Sequence, residues 1–167
     1  MADGPVLNTR ASARAECGVG VAAARIAEAL VKRNVLAVVA SDYRARDVHA
    51  ALRGASPKTQ VIFFPPSDAL PGDAQPPTAA NTGMRMAALR QARQLALLKS
   101  RPRVACITTA EAASELLPDP KTFDGALSTY AVGGRLDQDA FAGTLLHIGY
   151  FSDDRVDEPA EFAIRVK

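Results

Sequence analysis

The chain has few of the residues that usually identify a catalytic, secreted or membrane protein. It has no tryptophan and only three tyrosines and six phenylalanines. Its two cysteines, Cys17 and Cys106, lack CxxC spacing, which argues against a zinc site or a disulfide framework and favours a reducing compartment. Neither a signal-peptide core nor a stretch of about 18 apolar residues is found. We therefore expect a soluble, cytoplasmic protein with no membrane partner.

The apolar residues that are present predict an α/β fold. Hydrophobic residues make up 48% of the 167, and the net charge of +2 demands neither a nucleic acid nor a membrane as partner. Three short runs are continuously apolar, as strands buried on both faces of a parallel sheet would be: VLAVVA at 35–40, VIFF at 61–64 and VACI at 104–107. Helical periodicity separates them. A parallel sheet flanked by helices is the predicted architecture.

Helix boundaries can be predicted from capping residues. One helix is expected to begin near Val19, a second near Asp42, and a third to run from about Ala79 to Lys99. A fourth should open with a capping box formed by Thr108 and Glu111, and Pro118 should end it.

The pattern changes near residues 118–125, so we expect a second domain to begin at about residue 121. The stretch ALSTYAV (126–132) is typical of an exposed strand. Asp137 can cap a short helix with Phe141, Leu145 and Ile148 facing inward, and Gly149 is suited to its end. The stretches YFSDDRV and AEFAIRV predict two further strands. Residues 1–120 would then form the first domain, and residues 121–167 the start of a small α+β domain.

The glycines at the start of the first helix suggest a cofactor site, but the neighbouring residues argue against it. Gly18, Gly20 and Ala23 match a relaxed GxGxxA pattern, and Asp42 follows about 20 residues on. The preceding residues are charged, however, and do not predict the strand that this fingerprint requires. A phosphate-binding P-loop needs Lys and then Ser or Thr at the helix start, and the next lysine is Lys32. We predict no cofactor and no ATP hydrolysis.

Other candidate sites are few. His49 and His147 are isolated, and Arg155 interrupts the acidic cluster at 153–158, so neither a catalytic set nor a metal site is predicted. Basic residues are concentrated between positions 79 and 103, where there are six and no acidic residue. Such a helix can contact nucleic-acid phosphates, although a solvated face is the simpler interpretation. The candidate DNA contacts are Arg85, Arg90 and Arg93.

A proline-rich stretch between the second strand and the third helix carries a family resemblance. FFPPSDALPGDAQPPTAANTGMRMAAL resembles the signature F-P-x-x-D/E-x-L-P-x-D…P…R-x-x-x-L of the N-terminal module of the bacterial transcription-repair coupling factor, Mfd. The similarity continues through VACITTAEAASELLP and through GGRLDQDAFAGTLLHIGYFSDDRVDEPAEFAIR. Together these stretches span roughly residues 17 to 165. A weaker resemblance is to the excision-repair helicase UvrB.

The resemblance implies a non-catalytic module in nucleotide excision repair. In this family the N-terminal module has a UvrB-like, helicase-like fold with a degenerate nucleotide site, while a separate motor domain makes the whole factor an ATP-dependent DNA translocase. The small domain recruits UvrA to stalled RNA polymerase, and the family's E-F/Y-A-x-R arginine falls on Arg165. Two residues depart from the pattern: Ala160 replaces a glycine, and Val166 follows the arginine where the family has glycine. The recruiting domain would be incomplete, whether the chain is a fragment or a stand-alone remnant.

Two other functions remain open from the residues themselves. One is weak, sequence-independent binding to the DNA backbone through the basic helix. The other is nucleotide binding, which the missing lysine opposes. The prolines between Pro65 and Pro77 are interpreted as structural, because a crossover over the sheet edge does not require backbone donors.

Overall fold

A computed structural model describes residues 16–69, 72, 74–121 and 128–165 of the chain. Three strands form the main sheet: β1 Val35–Val39, β2 Gln60–Phe64 and β3 Val104–Thr109. Four helices accompany them: α1 Val19–Leu30, α2 Asp42–Ala55, α3 Ala79–Leu97 and α4 Ala110–Ser114. The C-terminal segment, residues 128–165, contains one helix and two short strands: α5 Gln138–His147, β4 Phe151–Ser152 and β5 Glu161–Phe162.

The main sheet is parallel, with strand order β1-β3-β2. Val35 is aligned with Ala105 on one side of β3, and Gln60 with Val104 on the other. The central strand is the most deeply buried, since Ala105 and Ile107 are completely inaccessible to solvent. The predicted α/β architecture, a parallel sheet flanked by helices, is confirmed.

Helices cover both faces of the sheet, but unequally. On one face α1 and α2 build the larger core, in which Val48, Leu52 and Ile107 are fully buried. On the other face α3 and α4 bring Ala88 and Ala112 against Ile62 and Phe64 of β2. This second layer protects β2 and β3, whereas on β1 the side chains of Leu36 and Val38 remain exposed.

Side-chain caps begin most helices, with one difference from the prediction. Ser41 accepts a hydrogen bond from the Arg44 amide at 3.3 Å and begins α2, as the expected start near Asp42 requires. The cap of α4, however, is Thr109, which accepts from the Ala112 amide at 3.3 Å. The predicted cap Thr108 is wrong, because its hydroxyl instead donates to the Phe64 carbonyl at 2.8 Å and joins β3 to β2. Helix α4 also ends at Ser114, before Pro118.

The C-terminal segment contains less regular structure than its sequence suggested. Asp137 caps α5 by accepting from the Ala140 amide at 3.0 Å, and Gly149 ends the helix with φ 95°, both as predicted. Strands β4 and β5 pair in parallel but have two residues each, so the longer predicted strands are wrong. Of the strand predicted at 126–132, residues 126 and 127 lie outside the described residues and the remainder is not a strand. No residue in 128–165 is fully buried.

The described helices contain no candidate membrane span, because none combines the required length with sufficient apolarity. Within the same residues, no group of three or more His, Cys, Asp and Glu side chains is placed to hold a metal ion.

Candidate functional site

The start of α1 carries the glycines of the cofactor hypothesis. Gly18 is the N-cap, with φ −64° and ψ 163°, and it has no side chain to contribute a cap. The Ala22 amide already donates to the Gly18 carbonyl at 3.0 Å. Lys32 lies beyond Leu30, at the far end of a 12-residue helix, and hence about 18 Å from its start. That ammonium group is therefore too far away to bind a phosphate at Gly18.

Two charged side chains of α2 near the start of α1 already have partners within the protein. Arg44 donates through Nη2 to the Cys17 carbonyl, which links α2 to the residue before α1. Asp42, the candidate ribose ligand, forms an ion pair in which its Oδ2 lies 2.7 Å from Nε of Arg46, one helical turn away. Asp42 thus makes a contact within α2, and Arg44 makes one between α2 and the residue before α1.

The proline-rich crossover is held at the carboxyl end of β2 by two side chains of α3. Arg85 donates through Nη1 to the Pro65 carbonyl at 2.7 Å, and Asn81 donates through Nδ2 to the Pro66 carbonyl at 2.9 Å. Pro65 is fully buried and Asn81 is 7% exposed. Because neither proline has an amide hydrogen, satisfying the two carbonyls meets most of the hydrogen-bonding requirement of this buried turn.

Glu115, just after α4, completes the same cluster. Its carboxylate pairs with Arg85 and also accepts a hydrogen bond of 3.4 Å from the Ser67 amide. The Arg85 guanidinium lies 4.6 Å from the centroid of the Phe64 ring, a cation–π distance. The Arg85 side chain is consequently only 13% exposed. We refer to these contacts of Arg85, Asn81 and Glu115 as the crossover clamp.

A second tether lies farther along the crossover, at the start of α3. Asp68 accepts hydrogen bonds from the Thr78 hydroxyl and, at 3.0 Å, from the Thr78 amide. These bonds, the hydroxyl bond foremost, lower the pKa of the Asp68 carboxyl. Thr78 in turn caps α3 by accepting from the Asn81 amide at 3.2 Å. The crossover is thus fixed at both of its ends, which supports the structural interpretation of its prolines.

The three candidate DNA contacts occupy different environments on α3. Arg85 belongs to the crossover clamp, which makes it a poor phosphate ligand. Arg93 is half-buried, and Arg90 is exposed. Lys99, Arg101 and Arg103, beyond the end of α3, are also exposed. The part of the basic stretch that faces solvent therefore begins at Arg90.

The proposed partner-binding residue, Arg165, is exposed and follows β5 in the C-terminal segment. No hydrogen bond or ion pair to its side chain occurs among the described residues. Next to it, Phe162 and Ile164 line an open groove of about 350 Å³ together with Phe141 and Leu145 of α5. Ala163 lines the same groove, and Ile164 is 42% exposed. The last two residues of AEFAIRV lie outside the described residues.

Sequence reasoning missed several of these contacts. The Tyr130 ring meets Phe141 edge-on, with centroids 4.8 Å apart, although Tyr130 was predicted to lie in an exposed strand. Asn81 and Glu115 had no role in the sequence interpretation; only their positions, next to the prolines and just after the third strand, hinted at one.

Comparison with known proteins adds no further assignment. No protein-family model matches the chain, and no curated protein matches it significantly. The function proposed below is therefore inferred from the sequence motifs and from the positions of their residues in the fold.

Proposed function

We propose that the chain is a non-catalytic N-terminal module of a transcription-repair coupling factor of the Mfd type, which recruits UvrA in the cytoplasm. Three motifs in the family's order, spread from about residue 17 to residue 165, support the proposal. A helix α1 that begins with glycines but lacks Lys and Ser or Thr agrees with a helicase-like fold that has a degenerate nucleotide site.

The proposal divides the chain near residue 121. Residues 1–120 would be the UvrB-like α/β domain, and residues 121–167 would belong to the UvrA-recruiting domain. In support of this division, the β1-β3-β2 sheet and its helices are complete by Ser114, and the strands of the C-terminal segment form a separate sheet.

The recruitment proposal depends on the exposed position of Arg165. Arg165 is exposed and follows Phe162 and Ile164, which line an apolar groove with Phe141 and Leu145. Arginine binds carboxylates through bidentate hydrogen bonds and is frequent among interface hot spots, especially next to apolar contacts. A UvrA surface with a carboxylate beside an apolar side chain would fit this arrangement.

The experiment is a binding assay between UvrA and the chain. Arg165→Glu should weaken binding at least tenfold, because it places a carboxylate opposite a carboxylate.

Arg155→Glu is the matched control, since Arg155 is a highly exposed arginine of the same segment, 79% accessible, and it pairs with nearby Asp157. It changes the charge equally and should leave UvrA binding intact. Equal capture of the wild type and of Arg165→Glu would refute the assignment of Arg165.

Weak DNA-backbone binding is a second candidate, favoured by the exposed basic residues from Arg90 to Arg103. Affinity for duplex DNA should fall steeply with salt and not depend on sequence. Arg90→Glu combined with Arg101→Glu should abolish it, whereas the charge-matched pair Arg53→Glu and Lys58→Glu, at the end of α2, should reduce it less. If both pairs reduce affinity equally, the basic stretch is not a distinct DNA site.

A further inference from the structure

The connections that lead into the three strands of the main sheet contain basic residues and no acidic ones. They are residues 31–34 before β1, 56–59 before β2 and 98–103 before β3. Their basic residues are Lys32, Arg33, Lys58, Lys99, Arg101 and Arg103. Because the strands are parallel and begin at the same edge of the sheet, the three connections lie together at one end, the amino end of the sheet, although they are far apart in sequence.

Pairing of β1 with β3 brings two of these connections side by side. Val35 is aligned with Ala105, and Arg33 and Arg103 each come two residues earlier on neighbouring strands, whose backbones are about 4.8 Å apart. The Val104 amide donates a hydrogen bond of 3.1 Å to Oδ1 of Asn34 and so joins the two connections directly. Asn34 is exposed, and this bond leaves its Nδ2 group as a donor at the surface.

The basic side chains of these two connections are exposed and have no carboxylate partner. Within the described ranges, no ion pair or hydrogen bond involves the side chains of Lys32, Arg33, Lys99, Arg101 and Arg103. Glu28, one helical turn before Lys32, is the only acidic residue in the last turns of α1, α2 and α3, and it does not pair with Lys32.

The opposite end of the sheet differs. There Arg46 pairs with Asp42, and Arg85 pairs with Glu115. Basic residues at the carboxyl end are thus neutralised within the protein, whereas those at the amino end are not. Positive charges held close together repel one another, and a partner with closely spaced negative charges relieves that repulsion.

A nucleic-acid backbone is the polyanion that fits this arrangement best. Its phosphates form a dense, regular row of negative charge, and lysine, arginine and asparagine are among their usual ligands. An anionic membrane fits less well. The exposed apolar side chains at this end are Val31, after α1, and Leu97 and Leu98 of α3, and these helices lie on opposite faces of the sheet, so the three residues do not form one apolar surface for insertion.

From this arrangement we infer that the amino end of the main sheet binds the phosphate backbone of nucleic acid. We call it the amino-end surface, formed by Lys32, Arg33, Lys99, Arg101 and Arg103, with Lys58 at its β2 side. The inference rests on the second proposed function, weak DNA-backbone binding, and assigns it to two paired connections rather than to the exposed face of α3. It does not involve Arg165 and is independent of UvrA recruitment.

Fluorescence anisotropy with a labelled, mixed-sequence DNA duplex over a series of salt concentrations tests the inference. Lys32→Glu/Arg33→Glu, and separately Arg101→Glu/Arg103→Glu, should each weaken binding at low salt by about tenfold or more. Each pair should also reduce the slope of log affinity against log salt concentration by about 2, because two phosphate contacts are lost. A merely structural role would leave that slope unchanged.

Arg135→Glu/Arg155→Glu is the charge-matched control, because both arginines are exposed but lie in the C-terminal segment. It should bind DNA with nearly the affinity and salt slope of the wild type, and circular dichroism should show that all variants keep the fold. Arg90→Glu, on α3, should weaken binding less than either pair at the amino end.

Three results would overturn the inference. If Lys32→Glu/Arg33→Glu leaves affinity and salt slope unchanged while Arg90→Glu/Arg101→Glu abolishes binding, the α3 stretch alone is the site and the second proposed function survives. A wild type that binds no duplex at low salt overturns both. Tighter binding of the wild type to vesicles of phosphatidylserine and phosphatidylcholine than to DNA would identify a membrane as the partner instead.

Discussion

Replacing Arg85 by methionine should destabilise the fold far more than the same change at Arg90. Arg85 is buried in the crossover clamp, where it binds the Pro65 carbonyl and Glu115 and lies over the Phe64 ring. Methionine keeps the aliphatic part of the side chain and removes the charge and the donors. Arg90, one and a half turns farther along α3, is exposed and provides the matched control.

The expected loss can be estimated from the contacts. An unpaired buried carbonyl at Pro65 costs about 1–3 kcal/mol. The partly exposed pair with Glu115 contributes about 1 kcal/mol, and the contact with the Phe64 ring about 0.5–1 kcal/mol. The total is about 2.5–5 kcal/mol, against less than about 0.5 kcal/mol at Arg90. For a chain of this size each kcal/mol lowers the melting temperature by about 2–4 °C, so Arg85→Met should lower it by at least about 5 °C.

Urea denaturation followed by circular dichroism measures the free energy of unfolding for both variants. Glu115→Gln, alone and combined with Arg85→Met, completes a double-mutant cycle. If the two side chains act together, the double variant should lose about 1 kcal/mol less than the sum of the single losses. A loss below about 1 kcal/mol for Arg85→Met, or equal losses at Arg85 and Arg90, would refute the clamp as described.

Three further changes test other parts of the structure. Burial, and to a lesser extent the charge of Arg53, lowers the pKa of His49 below its ordinary 6.5. As the pH falls, the unfolded chain therefore takes up this proton before the folded chain does, and the folded state loses stability. His49→Gln should lessen that loss of stability below about pH 6.5. Gly149→Ala should cost about 1–2 kcal/mol in urea denaturation, because φ is 95° there, whereas Gly143→Ala inside α5 should stabilise by about 0.5–1 kcal/mol. Magnesium-ATP should not raise the melting temperature, since α1 lacks the phosphate-binding lysine; a concentration-dependent rise would contradict this.

The main sheet could be predicted because its strands are short, continuous and strongly apolar. Each predicted run overlaps the observed strand within one or two residues. The α4 cap was misplaced by one position because two threonines are adjacent in the sequence. Local pattern could not show that the Thr108 hydroxyl bonds to the Phe64 carbonyl, which leaves Thr109, the last residue of β3, to cap the helix.

The C-terminal strands were predicted too long for a different reason. The stretches YFSDDRV and AEFAIRV were both predicted to be strands, but a strand of this kind is stabilised mainly by neighbours that cover its apolar face. Phe151 remains 70% exposed and Ile164 42% exposed. With so little apolar surface covered, pairing extends over only two residues of each strand.

The role of Arg85 could not be predicted from its helix alone. Its position among basic residues suggested a solvent-facing side chain, but its ion-pair partner Glu115 is 30 residues away in sequence. Only the packing of α3 and α4 on the same face of the sheet brings the two together.

The crossover clamp also limits what the basic helix can do. Two successive prolines at the end of β2 present carbonyls but no amide hydrogens, so the turn must be satisfied by side-chain donors from elsewhere. Asn81 and Arg85 supply them from the first two turns of α3, which ties this half of the helix to the sheet. A partner that reads positive charge can therefore use only the stretch from Arg90 onward. Charge reversal at Arg85 would unfold the crossover before it could report on binding, and Arg90 and Arg101 are consequently the residues that test the DNA hypothesis.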